Sequence, residues 1–126
     1  MSSESNRQFI THYLQELSGR PKPAEMVARF VEDEDLREHI QMFEEAFPRY
    51  ELTIDDMVAE GDKVALRATF RGVQQGDFQG IPASGREVSI PVMLIYRIAG
   101  DKIVQFWLNA DGLGLLQQLG AVPVPA

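Results

Sequence analysis

In the first third of the chain apolar residues recur at helical spacing, and from Tyr50 onward they fall at every second position, so helices should precede strands. Phe9, Ile10, Tyr13, Leu14 and Leu17 share one face of a first helix, which Gly19 and Pro21 stop. Pro23 can open a short second helix with Met26, Val27, Phe30 and Val31 on one stripe. The acidic run Glu32-Asp33-Glu34-Asp35 then reads as a solvated turn and helix start. Asp35 with Glu38 three residues on resembles a capping box. It predicts a third helix whose buried face is Leu36, His39, Ile40, Phe43 and Phe47 and which Pro48 ends.

Tyr50, Leu52 and Ile54 alternate with polar partners, as do Val64, Leu66, Ala68 and Phe70, and Glu60-Gly61-Asp62 between them predicts an antiparallel hairpin. A glycine-rich connection, residues 72–85, leads to a long strand from Glu87 to Ile98. Its centre is apolar on both faces, which predicts cover on both sides, and Pro91 predicts a bulge or an unpaired ladder position. Ala99-Gly100-Asp101 turns the chain into a last strand, KIVQFWLNA, followed by Asp111 and a short apolar helix. Along that strand Val104, Phe106, Leu108 and Ala110 form a wholly apolar face. The other face carries Ile103, Gln105, Trp107, Asn109 and Asp111, a mixture expected of a pocket wall that orients a mostly apolar ligand. On this reading Trp107, Asn109 and Asp111 share one cavity.

Helices first, then antiparallel strands, then a terminal helix is the signature of an α+β domain with helices on one face of a curved sheet. The 126 residues and 44% apolar content fit one domain spanning residues 1–126, with residues 122–126, Val-Pro-Val-Pro-Ala, as a flexible tail. A formal charge of −7 argues against nucleic acid and anionic membranes, both of which select a positive surface. The absence of cysteine excludes disulfides and thiolate metal sites. With two histidines, His12 and His39, and no nucleotide-binding or metal motif, neither a cofactor nor a metal is expected. The N-terminal residues lack a signal-peptide pattern and no apolar run is long enough to cross a membrane, so a cytoplasmic location is expected.

Several ordered blocks carry a family likeness: Phe47-Pro48, residues 57–64 (MVAEGDKV), Gly80-Ile81-Pro82 with Gly85, Tyr96-Arg97-Ile98, Lys102-Ile103-Val104, Trp107, Asp111 and residues 113–120 (LGLLQQLG). Together they closely resemble the SnoaL-like polyketide cyclase family, often labelled ester cyclases, from about Leu36 to Gly120. The resemblance implies a cone-shaped α+β barrel of the nuclear-transport-factor-2-like class: N-terminal helices packed in a strongly curved, mainly antiparallel sheet around one deep cavity. It also implies homodimers formed through the outer sheet face. In cyclases of this family the aspartate matched by Asp111 is the acid/base of an intramolecular aldol closure. The chain departs from many relatives in two places. Gln74 stands where they have histidine in a Gly-Thr-His-x-Gly segment, and Phe106 stands where they have histidine before the strand tryptophan. A glutamine can hydrogen-bond but cannot carry a proton.

The catalytic candidate is therefore Asp111, as a general base whose pKa a partly dry cavity would raise, or, alternatively, as the N-cap of the last helix. Asn109 and Gln74 are candidate donors to a developing enolate oxygen, or else satisfy buried backbone groups. Trp107 is assigned to ligand packing. His39 is a candidate second acid/base or a half-buried core histidine, whereas His12 should be exposed. The Tyr13 hydroxyl can reach the cavity from the first helix, and Phe43 and Met93 give it an adaptable lining or are simply core. These assignments predict aldol-type cyclisation or isomerisation of a hydrophobic, carbonyl-bearing molecule such as a polyketide. A non-catalytic binding module and a protein whose main role is dimerisation are the competing readings. Epoxide hydrolysis, which in this superfamily uses two aspartates bridged by an arginine, fits less well, since Asp111 is the only acid expected inside.

Overall fold

The computed structural model describes residues 2–123, so most of the expected tail, residues 124–126, lies outside the described residues. Three helices come first, α1 (Ser3–Leu17), α2 (Ala24–Phe30) and α3 (Glu34–Ala46). Four strands follow, β1 (Glu51–Glu60), β2 (Lys63–Val73), β3 (Glu87–Ala99) and β4 (Lys102–Ala110), and α4 (Gly112–Gln118) closes the series. Ser2 caps α1 through its hydroxyl, which accepts from the Ser5 N–H at 3.0 Å. The cap of α3 is Asp33, two residues before the Asp35 of the sequence reading; its carboxylate accepts from Leu36 N at 2.9 Å. The earlier start places Glu34 and Asp35 in the first turn, where negative charge meets the positive end of the helix dipole.

The strands form one antiparallel sheet in the order β1-β2-β3-β4, each hairpin joining neighbours. Gly61 at the β1–β2 turn and Gly100-Asp101 at the β3–β4 turn have positive φ, the conformation that two-residue hairpin turns require. Register shifts at Ile54/Asp56 in β1 and at Arg97/Ile98 opposite β4 are bulges, which bend the strands and help the sheet curl. Inward residues of β2 and β3, from Val64 to Phe70 and from Val88 to Ile98, are buried against the helices. Their core partners include Ile10, Tyr13 and Leu17 of α1 and Leu36 and Ile40 of α3. This is the cone-shaped α+β fold expected from the sequence, with the sheet curled around the helices rather than closed.

For β3 the expected cover needs correction, and of the two outcomes offered for Pro91 the unpaired position, on the β4 side, is the one found. Its outer face is not covered within the chain: Met93 is 61% exposed and Ile95 is also exposed. Pro91 forms no bulge, since it stays in register opposite Thr69. The β3–β4 ladder ends at Val92–Ala110, and the Pro91 carbonyl on that edge accepts from Asp111 N at 3.4 Å. The nitrogen that lacks a hydrogen thus lies beyond the last pair, where no ladder acceptor is lost.

Candidate functional site

Between α1, α3, α4 and the concave face of the sheet lies a cavity of about 280 Å³. Its wall is mainly apolar and aromatic, with Phe43, Phe70, Phe78, Leu94 and Leu108 among its members. Polar groups enter at few points: the hydroxyl-bearing rings of Tyr13, Tyr50 and Tyr96, the imidazole of His39, and Gln79. Ala110, Gly112 and Gln79 are solvent-exposed lining residues and so mark the mouth.

His39 is half-buried on α3, its ring 4.6 Å from that of Phe43 and 6.0 Å from that of Phe106. Burial among these rings holds its pKa below the ordinary histidine value, because the charged imidazolium has lost water and gained no carboxylate. Among the described residues neither ring nitrogen has a hydrogen-bond partner, and His39 lines the cavity as a neutral imidazole. Tyr13 and Phe43, for which the sequence left lining and plain core both open, also line the cavity. His12 is exposed, again as predicted.

Other assignments are overturned by the direction of β4. Trp107 is 43% exposed, and with Asn109 and Met93 it lies on the convex face of the sheet beside Val58 and Ile95. The bulge supplies part of the reason: Ile98 pairs with Ile103 but Arg97 pairs with Gln105, so Val104 is the extra residue and Ile103, wholly buried, is out of phase with Trp107. Energetics supply the rest. The cavity is a gap in the core, so its wall is the apolar face of β4, from which Leu108 and Ala110 line it, while Gln105 and Asn109 are exposed on the other side, the Gln105 Oε1 accepting from Arg97 Nε at 3.1 Å.

Gln74 is 0% exposed, yet it offers nothing to a ligand. Its Nε2 donates to the carbonyls of Gly76 and Ile81 at 3.2 and 3.1 Å, and its Oε1 accepts from Ser84 N and Oγ at 3.1 and 2.7 Å. The residue in the family's histidine position here ties down the loop between β2 and β3. Asp111 is exposed and caps α4, its Oδ1 accepting from Gly114 N at 2.8 Å. A Cβ on Gly114 would overlap the carboxylate, which shows how closely the acid is folded onto the helix. Asp111 therefore sits at the mouth, between Ala110 and Gly112, without lining the cavity.

Residues 20–119 match the profile of the SnoaL-like polyketide cyclase family. The chain belongs to this family. No curated protein matches the SnoaL-like chain, whereas solved structures do. TsrD from Streptomyces laurentii is 32% identical, with 97% of this chain and 99% of that one covered and a TM-score of 0.81. AclR from Streptomyces galilaeus, a candidate hydroxylase, is 23% identical over 99% of this chain and 87% of that one, with a TM-score of 0.84. A SnoaL-like polyketide cyclase from Agrobacterium tumefaciens is 20% identical over 91% and 98%, with a TM-score of 0.74. The last two likenesses speak to the fold. Among the described residues of the SnoaL-like chain no helix is long and apolar enough to cross a membrane.

The cavity-lining tyrosines Tyr50 and Tyr96 were missed in the sequence reading. Strand parity held the signal: Ile90, Val92, Leu94 and Tyr96 alternate on one face of β3, and Tyr96 pairs across the ladder with Phe106, the apolar side of β4.

Proposed function

We propose that this SnoaL-like domain takes a hydrophobic, carbonyl-bearing small molecule into the cavity and moves a proton on it, in a cyclisation of aldol type or an isomerisation. The observation that carries this reading is His39, a neutral imidazole with unpartnered nitrogens in an otherwise apolar and aromatic wall. A base of this kind can take a proton from the carbon next to a carbonyl and return it elsewhere. About 280 Å³ is roughly twice the ~150 Å³ engineered cavity that accepts benzene, so ligands of one or two rings fit. Asp111, the base implied by the resemblance, stands at the mouth with its carboxylate engaged as a cap. It enters the chemistry only if a ligand displaces that hydrogen bond.

The test is hydrogen–deuterium exchange at the methyl group of 2-acetonaphthone in heavy water, followed by NMR. The wild-type protein should accelerate exchange, His39→Gln should abolish the acceleration, and Asp111→Asn should keep most of it. Loss in a folded Asp111→Asn variant with retention in His39→Gln would transfer the base to Asp111. A second reading, a binding module with no turnover, is favoured by the engagement of Asp111 as a helix cap. It predicts that 2-acetonaphthone binds without accelerated exchange. Pairing of two copies through the convex sheet face, where Val58, Met93, Ile95 and Trp107 are exposed, completes the proposal.

A further inference from the structure

Three phenol rings from separate parts of the chain line the same cavity, Tyr13 from α1, Tyr50 from the residue before β1 and Tyr96 from β3. They are 1%, 4% and 1% exposed. No described group makes a hydrogen bond to any of their hydroxyls. A hydroxyl both unpartnered and sealed from all open space would be an orphaned buried polar atom, and the one such side-chain atom among the described residues is Asn6 Oδ1. None of the three hydroxyls is sealed in that way, and all three residues line the cavity.

Their surroundings fix them in place. The Tyr13 and Tyr96 rings meet edge-on at 5.9 Å, and Tyr13 also packs 5.6 Å from Phe30. Tyr50 packs 5.2 Å from Phe70 and lies under the Lys22 ammonium at 4.0 Å, while Lys22 is itself held by Glu44 at 2.9 Å and by the Tyr50 carbonyl at 3.1 Å. Burial raises the pKa of all three phenols, and repulsion between the phenolates they would form raises Tyr13 and Tyr50 further. They stay protonated and able to donate. On an otherwise apolar wall three such donors offer hydrogen bonds to an acceptor on a ligand. His39 stands one ring away from two of them: Phe43 lies between it and Tyr50, and Phe106, the ladder partner of Tyr96, lies on its other side.

We infer that the hydroxyls of Tyr13, Tyr50 and Tyr96 form a donor site for one carbonyl oxygen of an otherwise apolar aryl ketone. Two hydrogen bonds suffice for the oxygen's lone pairs, and the third phenol supports the other two. When the base removes a proton from the adjacent carbon, the C–H electron pair moves into a new C–C double bond. The carbonyl π pair moves onto oxygen, where the phenols meet the charge; reprotonation reverses these shifts. This inference rests on the cavity being a small-molecule site, as proposed above, and adds the group on the ligand that is recognised.

The experiment compares 2-acetonaphthone, labelled with carbon-13 at the carbonyl, with 2-isopropenylnaphthalene, the same shape with CH2 in place of oxygen. The wild-type protein should bind the ketone about tenfold tighter, since each neutral hydrogen bond contributes roughly three- to tenfold. The bound carbonyl resonance should move downfield. In the combined Tyr13→Phe, Tyr50→Phe, Tyr96→Phe variant both ligands should bind equally, the alkene as in wild type, with the carbonyl shift lost. If that variant does not fold, at least two of the single variants should each reduce the ketone preference about threefold. Equal binding of the two ligands to wild type, or a ketone preference that survives removal of the hydroxyls, overturns the inference and leaves the pocket reading intact. Binding of neither ligand overturns both.

Discussion

Asp111 is a helix cap and His39 stands on the cavity wall, two residues for which the sequence alike leaves a catalytic and a structural role open. Asp111 follows a strand and precedes Gly112-Leu113-Gly114, and that local context serves a cap as well as a base. As a cap, Asp111→Ala should lower stability by about 1 kcal/mol in urea unfolding, whereas Asp111→Asn and Asp111→Ser should stay within a few tenths of wild type. His39 adds a pH dependence of definite sign. Its folded-state pKa lies below the unfolded value of roughly 6.5, so the unfolded chain binds the extra proton first as pH falls. The contribution is complete above the unfolded pKa and is lost as pH drops through the folded one. Unfolding measured from pH 7.5 to 5 should therefore show wild type losing more stability than His39→Phe. The exchange activity proposed above should likewise fall on the acid side with an inflection below that of free histidine, and this limb should be absent in His39→Gln.

Among the elements, the β2–β3 connection and β4 show how far pattern reaches. Period-two alternation located both faces of β4 from Gln105 to Ala110 but misplaced Ile103, which the bulge at Val104 puts on the buried side, and alternation does not say which of its two phases is inside. The core decides by excluding Gln105 and Asn109, whose amides would otherwise need buried partners. Leu108→Trp should therefore fill the cavity and abolish binding of 2-acetonaphthone, while Trp107→Ser leaves that affinity unchanged by fluorescence or NMR titration. Gln74 was legible as a departure from the family pattern, yet its four hydrogen bonds in the loop were not, because Gly76, Ile81 and Ser84 meet it only once the loop is folded. Gln74→Leu removes all of these bonds. It should cost about 1–3 kcal/mol in urea unfolding, the usual penalty for stranding buried polar groups.

At the scale of the whole molecule the curled sheet has two unlike faces. The concave one meets α1 and α3 and leaves the cavity; the convex one exposes Val58, Met93, Ile95 and Trp107 around a shallow depression bordered by Asp56 and Arg67. If two copies pair through this face, Trp107→Glu should convert a dimer to a monomer in analytical ultracentrifugation, by placing like charges in an apolar contact. The variant should keep its 2-acetonaphthone affinity, because the cavity opens on the other side of the sheet. Trp107 is the sole tryptophan, so in the wild-type protein iodide quenching of its fluorescence should rise as a dimer dissociates on dilution.

By itself the sequence determined the order of helices and strands, the hairpin turns and the α+β class, since helical and strand periodicity, capping residues and positive-φ glycines act over a few neighbouring residues. Ordered blocks along the chain also made the SnoaL-like family legible. Tertiary structure decided what lies inside. Tyr13, His39, Tyr50 and Tyr96 come from α1, α3, the residue before β1 and β3, and only the curling of the sheet over α1 and α3 brings them to one cavity. The same curvature, with the bulge at Val104, carried Trp107 and Asn109 to the convex face and left Asp111 at the mouth as a cap. A face becomes a pocket wall through what packs opposite it, and that partner lies far away along the chain.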